Sequence, residues 1–148
     1  MSDELEKQKI RELIETWIGA SRAGDIDTVL TLMDEDVVFL MPGHQFMRGR
    51  AAYAAAARAN AGKMKFEGHP EIQEIQIAGN FAFCWNHLTV KITPLLVGPT
   101  SRLSPVKVDA LPEMPAKHLS GPILSVFRKE PDGRWVLYRD ANLLAPVV

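Results

Sequence analysis

The chain has 148 residues, of which 47% are hydrophobic and 24% charged, and a formal net charge of −1. This length and composition are enough for one hydrophobic core, so we expect a single domain over residues 1–148. Because basic residues are scattered among acidic ones, we expect no nucleic-acid partner. No apolar run approaches the length that spans a membrane, so no membrane partner is expected either.

The first predicted elements are two amphipathic helices with almost no connection between them. The apolar residues of the first helix recur at helical spacing: Ile10, Leu13, Ile14, Trp17 and Ile18. Gly24 follows this stripe, and a glycine at that position ends a helix cheaply in the left-handed conformation. Asp25 is well placed to cap the second helix, so the two helices are predicted to meet at an angle.

The rest of the chain is predicted to be mostly sheet. Residues 37–41 form a continuous apolar run before Pro42-Gly43, which is typical of a buried strand. Residues 50–61 are alanine-rich and precede Gly62, which predicts a third helix that carries Tyr53.

Later strands are predicted at 64–68, 71–78 and 81–93, with a tight turn at Gly79-Asn80, and a final hairpin at 119–129 and 134–144. Helices on one side of an antiparallel sheet make the fold class α+β. Residues 94–117 contain several prolines that would interrupt a strand, so this segment is predicted to be a long loop, which is either a lid, a binding loop or a partner contact, or else a disordered insertion.

Motifs for common cofactors are absent from the sequence. It has no phosphate-binding loop, dinucleotide-binding turn, nucleophile elbow or paired-cysteine zinc signature. The four histidines lack ligand spacing, so we expect neither a cofactor nor a metal. Cys84 is the only cysteine and the polar N-terminus does not resemble a signal peptide, which together favour a reducing cytoplasm.

Strand alternation places candidate site residues on shared faces. Tyr138, Asp140 and Asn142 alternate on the last strand, and the turn between the last two strands predicts Ser125 opposite Tyr138. The odd residues of the strand at 81–93 are bulky, which predicts that Trp85 and His87 face the helices.

The residues of opposite parity are then predicted to face outward. They include Cys84, for which we expect inert packing, together with Trp135 and Leu137. The apolar patch that Trp135 and Leu137 would expose favours a dimer interface.

His87 and Asp140 form the strongest chemical hypothesis. Histidine titrates near neutral pH, and a buried carboxylate can orient it as a general base. The alternative is structural, with Asp140 accepting hydrogen bonds from its neighbours and His87 satisfying a nearby group. The sequence predicts the faces of these residues but leaves their separation open.

The chain resembles the nuclear-transport-factor-2-like superfamily, and within it the ketosteroid-isomerase-like and SnoaL-like branch, especially its SgcJ/EcaC-type proteins. The segments that carry the resemblance are residues 23–27, 36–43, 48–50, 133–135 and 139–142. It implies a cone-shaped, strongly curved antiparallel sheet wrapped around the N-terminal helices (a cystatin-like α+β roll). It also implies a small-molecule pocket inside the cone and a homodimer formed by the outer face of the sheet.

The resemblance also argues against ketosteroid isomerisation. By alignment, Trp17 takes the position of the family's tyrosine, Met41 that of its base and Ser125 that of its acid. The residues expected at the ligand are Trp17, Met41, Tyr53, Trp85, Ser125, Tyr138 and Asn142, with His87 and Asp140 as the catalytic pair. The predicted function is binding of a small, largely apolar organic molecule, with cofactorless isomerase, lyase, cyclase or hydrolase chemistry. The alternative is a dimeric ligand-binding or interaction domain without turnover.

Overall fold

The computed structural model describes residues 2–95 and 116–147, which form three helices and one sheet of seven strands. The helices are α1 (Ser2–Ala23), α2 (Ile26–Thr31) and α3 (Arg50–Ala59). The strands are β1 (Met33–Leu40), β2 (Met47–Arg48), β3 (Met64–Ala78), β4 (Phe81–Pro94), β5 (Lys117–Lys129), β6 (Trp135–Asn142) and β7 (Ala145–Pro146). The predicted loop at 94–117 falls almost entirely outside the described residues.

The strand order is β2-β1-β6-β5-β4-β3, and β7 pairs with β5 at one end. The predicted α+β class is confirmed, and the helices pack on the concave face of the curved sheet. The sheet is mixed rather than wholly antiparallel, because β1 runs parallel to β6 while the other pairs are antiparallel. In the parts of the chain that are described, no helix has the length and apolar character needed to cross a membrane.

The junction between α1 and α2 has the predicted chemistry. Gly24 has a φ of 73°, a left-handed conformation that a residue with a side chain adopts only at a cost. The next residue, Asp25, accepts a hydrogen bond from the backbone N–H of Thr28 at 3.2 Å and so caps α2. The two helices therefore meet at an angle over the sheet.

Helix α1 anchors the concave side of the sheet. Ile10 and Leu13 are buried in the core, where they join Phe127 of β5. Near the start of α1, Glu6 accepts hydrogen bonds from the Trp135 indole and from Lys129 Nζ. These two bonds lower the pKa of Glu6 and tie the helix to the β5–β6 hairpin.

Strand β3 is longer than predicted, since the two segments predicted at 64–68 and 71–78 form one strand. Its register with β4 shifts between Ile72 and Glu74. The predicted turn at Gly79-Asn80 is confirmed, because Ala78 pairs directly with Phe81. This turn sets the register of β3 and β4 from Ala78 back to Glu74, before the shift.

A bulge at Tyr138 decides which residues of β6 face the helices. Ser125 pairs with Asp140, but Phe127 pairs with Leu137, so Tyr138 is an extra residue on β6. The predicted register, with Ser125 opposite Tyr138, is therefore wrong. An extra residue in a strand reverses the alternation of its side chains, so that every residue beyond the bulge lies on the face opposite to the one expected from regular alternation.

Trp135 and Leu137 consequently lie in the core, each only 4% exposed, and not on the outer face as predicted. Cys84 is also buried there, so its predicted outward position is wrong as well. Burial raises the pKa of its thiol to about 11, which fits inert packing.

Candidate functional site

A cavity of about 470 Å³ lies between the helices and the concave face of the sheet. We call it the central cavity. Its walls come from all three helices and from strands β1 to β6. This volume is in the range of pockets that bind small organic molecules.

Three aromatic rings form one wall of the central cavity. Trp17 of α1, Phe39 of β1 and Tyr53 of α3 contact one another, with ring centroids 5.1 to 6.3 Å apart. Phe39 and Tyr53 are stacked, with an angle of 27° between their planes. This wall offers an apolar aromatic surface to a ligand.

The sheet contributes four polar side chains to the cavity: Asn86, Ser125, Asp140 and Asn142. Strand pairing brings them together, because Ser125 lies opposite Asp140, and Asn86 and Asn142 lie on either side of Ile123 in the next row. The hydroxyl of Ser125 donates a hydrogen bond to Asp140 Oδ1 at 2.6 Å. Asn142 Oδ1 accepts a hydrogen bond from the backbone N–H of Leu144 at 2.9 Å.

Asp140 is the carboxyl group whose proton affinity departs most clearly from normal. Burial raises its pKa from 3.8 to about 6, although the hydrogen bond from Ser125 works in the opposite direction. Removal of the carboxylate from water is thus the larger effect. A group with a pKa near 6 can both accept and return a proton close to neutral pH.

Tyr53 is close enough to respond to this carboxyl group. Burial raises the pKa of its hydroxyl, and the negative charge of Asp140 raises it further. The pairing of Phe39 with Asp140 across β1 and β6 explains the proximity, since Tyr53 stacks on Phe39. Tyr53 therefore stays protonated at neutral pH and can donate a hydrogen bond.

Most of the sequence-predicted site residues lie at the central cavity. Trp17, Met41, Tyr53, Ser125 and Asn142 line it together with Asp140. Their spacing along the chain is large, and the fold brings them onto one surface.

His87 does not join them. It is exposed on the convex face of the sheet, where its Nε2 lies 2.7 Å from Ser120 Oγ. The neighbouring Asn86 points the other way, into the cavity. The predicted pair of His87 and Asp140 is therefore wrong, because the two side chains are on opposite faces of the sheet.

The prediction that Trp85 lies at the ligand is wrong for the same reason, since it assigned the wrong face of β4. Trp85 is exposed, and its indole N–H donates a hydrogen bond to Glu74 at 3.2 Å. The concave face of β4 is instead occupied by the small residues Ala82 and Cys84, which pack in the core with Ile10 and Leu13 of α1. The large aromatic residues of β4 point outward instead.

Tyr138 is the third predicted site residue outside the cavity. Because of the bulge, its ring lies on the convex face, with the guanidinium groups of Arg128 and Arg139 4.8 and 3.8 Å from its centroid.

Sequence reasoning missed Asn86 and Phe39. Asn86 is the only polar member of the set formed by the even positions of β4 from Ala82 to Val90. An isolated amide in an apolar alternating set is a signal of a buried polar contact, and it was available in the sequence. Phe39 gave no comparable signal, since an aromatic residue in a buried strand is ordinary.

The convex face carries an apolar row that runs across four strands. Trp85, Leu124, Ala141 and Leu40 are successive cross-strand partners, and Leu124 is 45% exposed. Glu74 extends this row on β3, at the end where Glu71 also lies. We call Glu74, Trp85, Leu124, Ala141 and Leu40 the convex row.

Arginines lie at the opposite end of the convex row. Arg139 and Arg48 are both partners of Val38, on either side of β1. The convex face is thus apolar in the middle, acidic at the β3 end and basic at the β1–β2 end.

Metal ligands do not cluster in the described parts of the chain. Within residues 2–95 and 116–147, no three His, Cys, Asp or Glu side chains converge in a way that could hold an ion.

Comparison with known proteins connects this site to a family. The sequence model of the SnoaL-like domain family matches residues 14–138. None of the curated proteins matches the sequence significantly. The chain is similar in structure to a conserved protein from Planctomyces limnophilus DSM 3776, with 30% identity, a TM-score of 0.81, and 97% of this chain and 99% of that one covered.

Two further solved structures share the fold. One is a ketosteroid isomerase-like protein from Erwinia carotovora atroseptica SCRI1043, with 18% identity, a TM-score of 0.68 and 94% of each chain covered. The other is a nuclear transport factor 2-like superfamily protein from Salmonella enterica subsp. enterica serovar Typhimurium str. LT2, with 18% identity, a TM-score of 0.70, and 96% of this chain and 91% of that one covered. The chain therefore belongs to the SnoaL-like domain family and has the nuclear-transport-factor-2-like fold.

Proposed function

We propose that the central cavity binds a small, largely apolar organic molecule and that Asp140 transfers a proton on it without a cofactor. The observation that carries this proposal is a carboxyl group with a pKa of about 6, held by Ser125 in the wall of a cavity of about 470 Å³. Binding of small molecules is also a property of the SnoaL-like family.

The shape of the cavity supports a ligand with an apolar body and a polar end. The rings of Trp17, Phe39 and Tyr53 favour contact with a flat hydrocarbon body. Asp140 Oδ1 is occupied by Ser125, which leaves Oδ2 for the ligand. A ligand that excludes water from this carboxylate would raise its basicity further.

The chemistry that fits these groups is proton transfer next to a carbonyl group. Asp140 Oδ2 takes a proton from the adjacent carbon, the C–H bond breaks, and its electron pair moves to the carbonyl oxygen as an enolate. The hydroxyl of Tyr53 donates a hydrogen bond that stabilises this oxygen. Return of the proton from Asp140 to the same or another carbon completes an exchange or an isomerisation.

The experiment uses 2-tetralone, a bicyclic ketone with acidic hydrogens, in D₂O. NMR follows loss of the C1 hydrogens above the buffer rate. We expect Asp140→Asn to lower the enzymatic rate by at least about 100-fold, because the base is lost. Tyr53→Phe should lower it by about 10-fold or more, because a donor to the enolate is lost.

Asp27→Asn is the matched control, because Asp27 is an exposed aspartate that pairs with Arg58 and does not line the cavity. It should leave the rate unchanged. Exchange by Asp140→Asn at the wild-type rate would refute the catalytic role.

A second candidate function is ligand binding without turnover. It is favoured by Trp17, Met41 and Ser125, which line the cavity but supply no ionisable group. The fluorescence of 2-naphthol measures binding directly. Binding that depends on Asp140, combined with no exchange of 2-tetralone, would support this function over the catalytic one.

We further propose that the protein is a homodimer formed by the convex row. A two-fold axis through its centre would place Leu124 near Leu124 of the partner subunit, and the acidic end of each row near the basic end of the other. This arrangement would bury Trp85 and Leu40, which are 38% and 47% exposed.

Sedimentation velocity tests the dimer. We expect the wild-type protein to sediment as a dimer at micromolar concentration and Leu124→Arg to sediment as a folded monomer, because a buried unpaired charge opposes association. Thr89→Arg is the control, since Thr89 is exposed outside the convex row. A wild-type monomer at these concentrations would reject the interface.

A further inference from the structure

We infer that Asn86 is a second polar contact in the central cavity, and that the ligand carries two oxygen functions at opposite ends of an apolar body. The inference rests on the proposed function, because it assumes that the ligand lies against Asp140. It narrows the expected ligand from an apolar molecule with one polar end to an apolar molecule with a polar group at each end.

Asn86 is unusual because its amide is buried without being satisfied. The residue is 6% exposed and lines the cavity. Its Oδ1 has no hydrogen-bond partner among the described residues. Buried side-chain amides are normally paired, and each unpaired group reduces stability. The amide is therefore retained at a cost. Because Oδ1 has almost no accessible surface, a ligand bonds to it only after rotation about the terminal bond of the side chain, and such a bond would offset that cost.

The amide can serve either kind of ligand group. Rotation about its terminal bond exchanges Oδ1 and Nδ2, so Asn86 can offer the cavity an acceptor or a donor. Asp140 Oδ2, when ionised, offers an acceptor only. A hydroxyl is compatible with both positions, because it donates to the carboxylate and either donates to or accepts from the amide.

The strand order sets the distance between the two polar groups of the ligand. Asn86 is on β4 and Asp140 on β6, with β5 between them, so the two backbones are about 10 Å apart. Asn86 pairs with Ile123 and Asp140 with Ser125, so the two polar residues also lie in different rows. A single polar group cannot reach both. Ile123 is an apolar surface between them, which fits a hydrocarbon body that spans the gap.

Three naphthalene derivatives provide the test, since they share one body and differ in their hydroxyls. 2,6-Dihydroxynaphthalene has hydroxyls at opposite ends, 2,3-dihydroxynaphthalene has them at one end, and 2-naphthol has one. Affinities are measured by ligand fluorescence for the wild-type protein, Asn86→Leu and Asp140→Asn. Leucine is similar in size to asparagine, so it removes the amide without opening a large space.

We expect Asn86→Leu to weaken binding of the 2,6-diol by about tenfold, the effect of one lost hydrogen bond, and to leave the other two ligands within about twofold. Asp140→Asn should weaken all three. Because leucine removes an unsatisfied buried group, we also expect the thermal midpoint of Asn86→Leu to equal or exceed that of the wild type.

The outcomes separate this inference from the proposed function. If all three ligands depend on Asp140 but Asn86→Leu changes none of them, or changes all three equally, the role of Asn86 is refuted while the proposed function stands. If none of the ligands binds in an Asp140-dependent way, both fail. A large loss of stability in Asn86→Leu would mean that the amide has a structural role, and this result would also overturn the inference.

Discussion

Alternate residues of the same strands form the concave and the convex face of the sheet. The two faces differ in how much they change the pKa of the polar side chains that they carry. Asn86 and His87 are neighbours in sequence, but the first is buried at the cavity and the second is exposed. His87 lies in solvent away from the cavity, whereas burial raises the pKa of Asp140 to about 6. Placement relative to solvent, more than residue type, therefore decides which group is a candidate for catalysis.

The largest difference between the faces is expected in stability. Ile123 and Leu124 are adjacent on β5, but Ile123 is 6% exposed and Leu124 45%. Ile123→Ala should lower the free energy of unfolding by about 2–5 kcal/mol at every protein concentration, because it leaves a space in the cavity wall. Urea denaturation at several protein concentrations measures this.

Leu124→Ala is the matched variant. If the proposed dimer forms, this variant should lose stability only at protein concentrations where the wild type is dimeric, because in that dimer the Leu124 side chain contributes to association and not to the core of one chain. If the two variants lost the same free energy of unfolding at low protein concentration, the expected difference between the two faces would be contradicted.

The next effect is a pH-dependent gain of stability in Asp140→Asn. The pKa of Asp140 is raised in the folded protein, so the folded state binds the proton more tightly and stability falls as pH rises from about 4 to 6. Asparagine does not ionise, so the variant does not lose this stability as the pH rises. We expect the variant to be more stable than the wild type by about 1–3 kcal/mol at pH 8 and equal to it at pH 4.

Urea denaturation across this pH range measures the effect. Asp27→Asn, on the surface, should keep the pH dependence of the wild type. A stability difference for Asp140→Asn that is the same at pH 4 and pH 8 would show that the buried carboxylate is not the cause.

A smaller effect is expected from Ser125→Ala. The Ser125 hydroxyl lowers the pKa of Asp140, so its removal should raise that pKa further. We expect the pH at which 2-tetralone exchange is half-maximal to move up by about one pH unit, the size of one hydrogen bond to a charged group. A pH–rate profile provides the measurement, and a downward movement would contradict the assignment.

The smallest effect is expected from His87→Ala. Because His87 is on the convex face, its loss should change the exchange rate by less than about twofold and stability by less than about 1 kcal/mol. The exchange assay and thermal unfolding check both values. A large loss of exchange would mean that the convex face takes part in the chemistry.

Sequence reasoning predicted the features that depend on local chemistry. The junction at Gly24 and Asp25, the turn at Gly79-Asn80 and the α+β class follow from residue conformational preferences and hydrophobic spacing, and the structure has all three. The parallel pairing of β1 with β6 was not predicted, because it depends on contacts between distant parts of the chain.

The faces of β4 and β6 show where such reasoning fails. The bulge at Tyr138 involves no glycine or proline, so nothing in the sequence signals that the alternation changes there. On β4, the aromatic residues were assigned to the helix side because they are large. On the helix side, Ala82 and Cys84 instead pack in one core cluster with Ile10 and Leu13, which only the packed structure reveals.

Helix α3 has a consequence for how ligand preference can change in this protein. None of its residues is fully buried, yet Tyr53 and Ala57 form part of the cavity wall. Substitutions at Ala57 can therefore resize the chamber without disturbing the side chains that stabilise the domain. Ala57 is therefore a position where the size of the cavity can change, by evolution or by engineering, with little effect on the core.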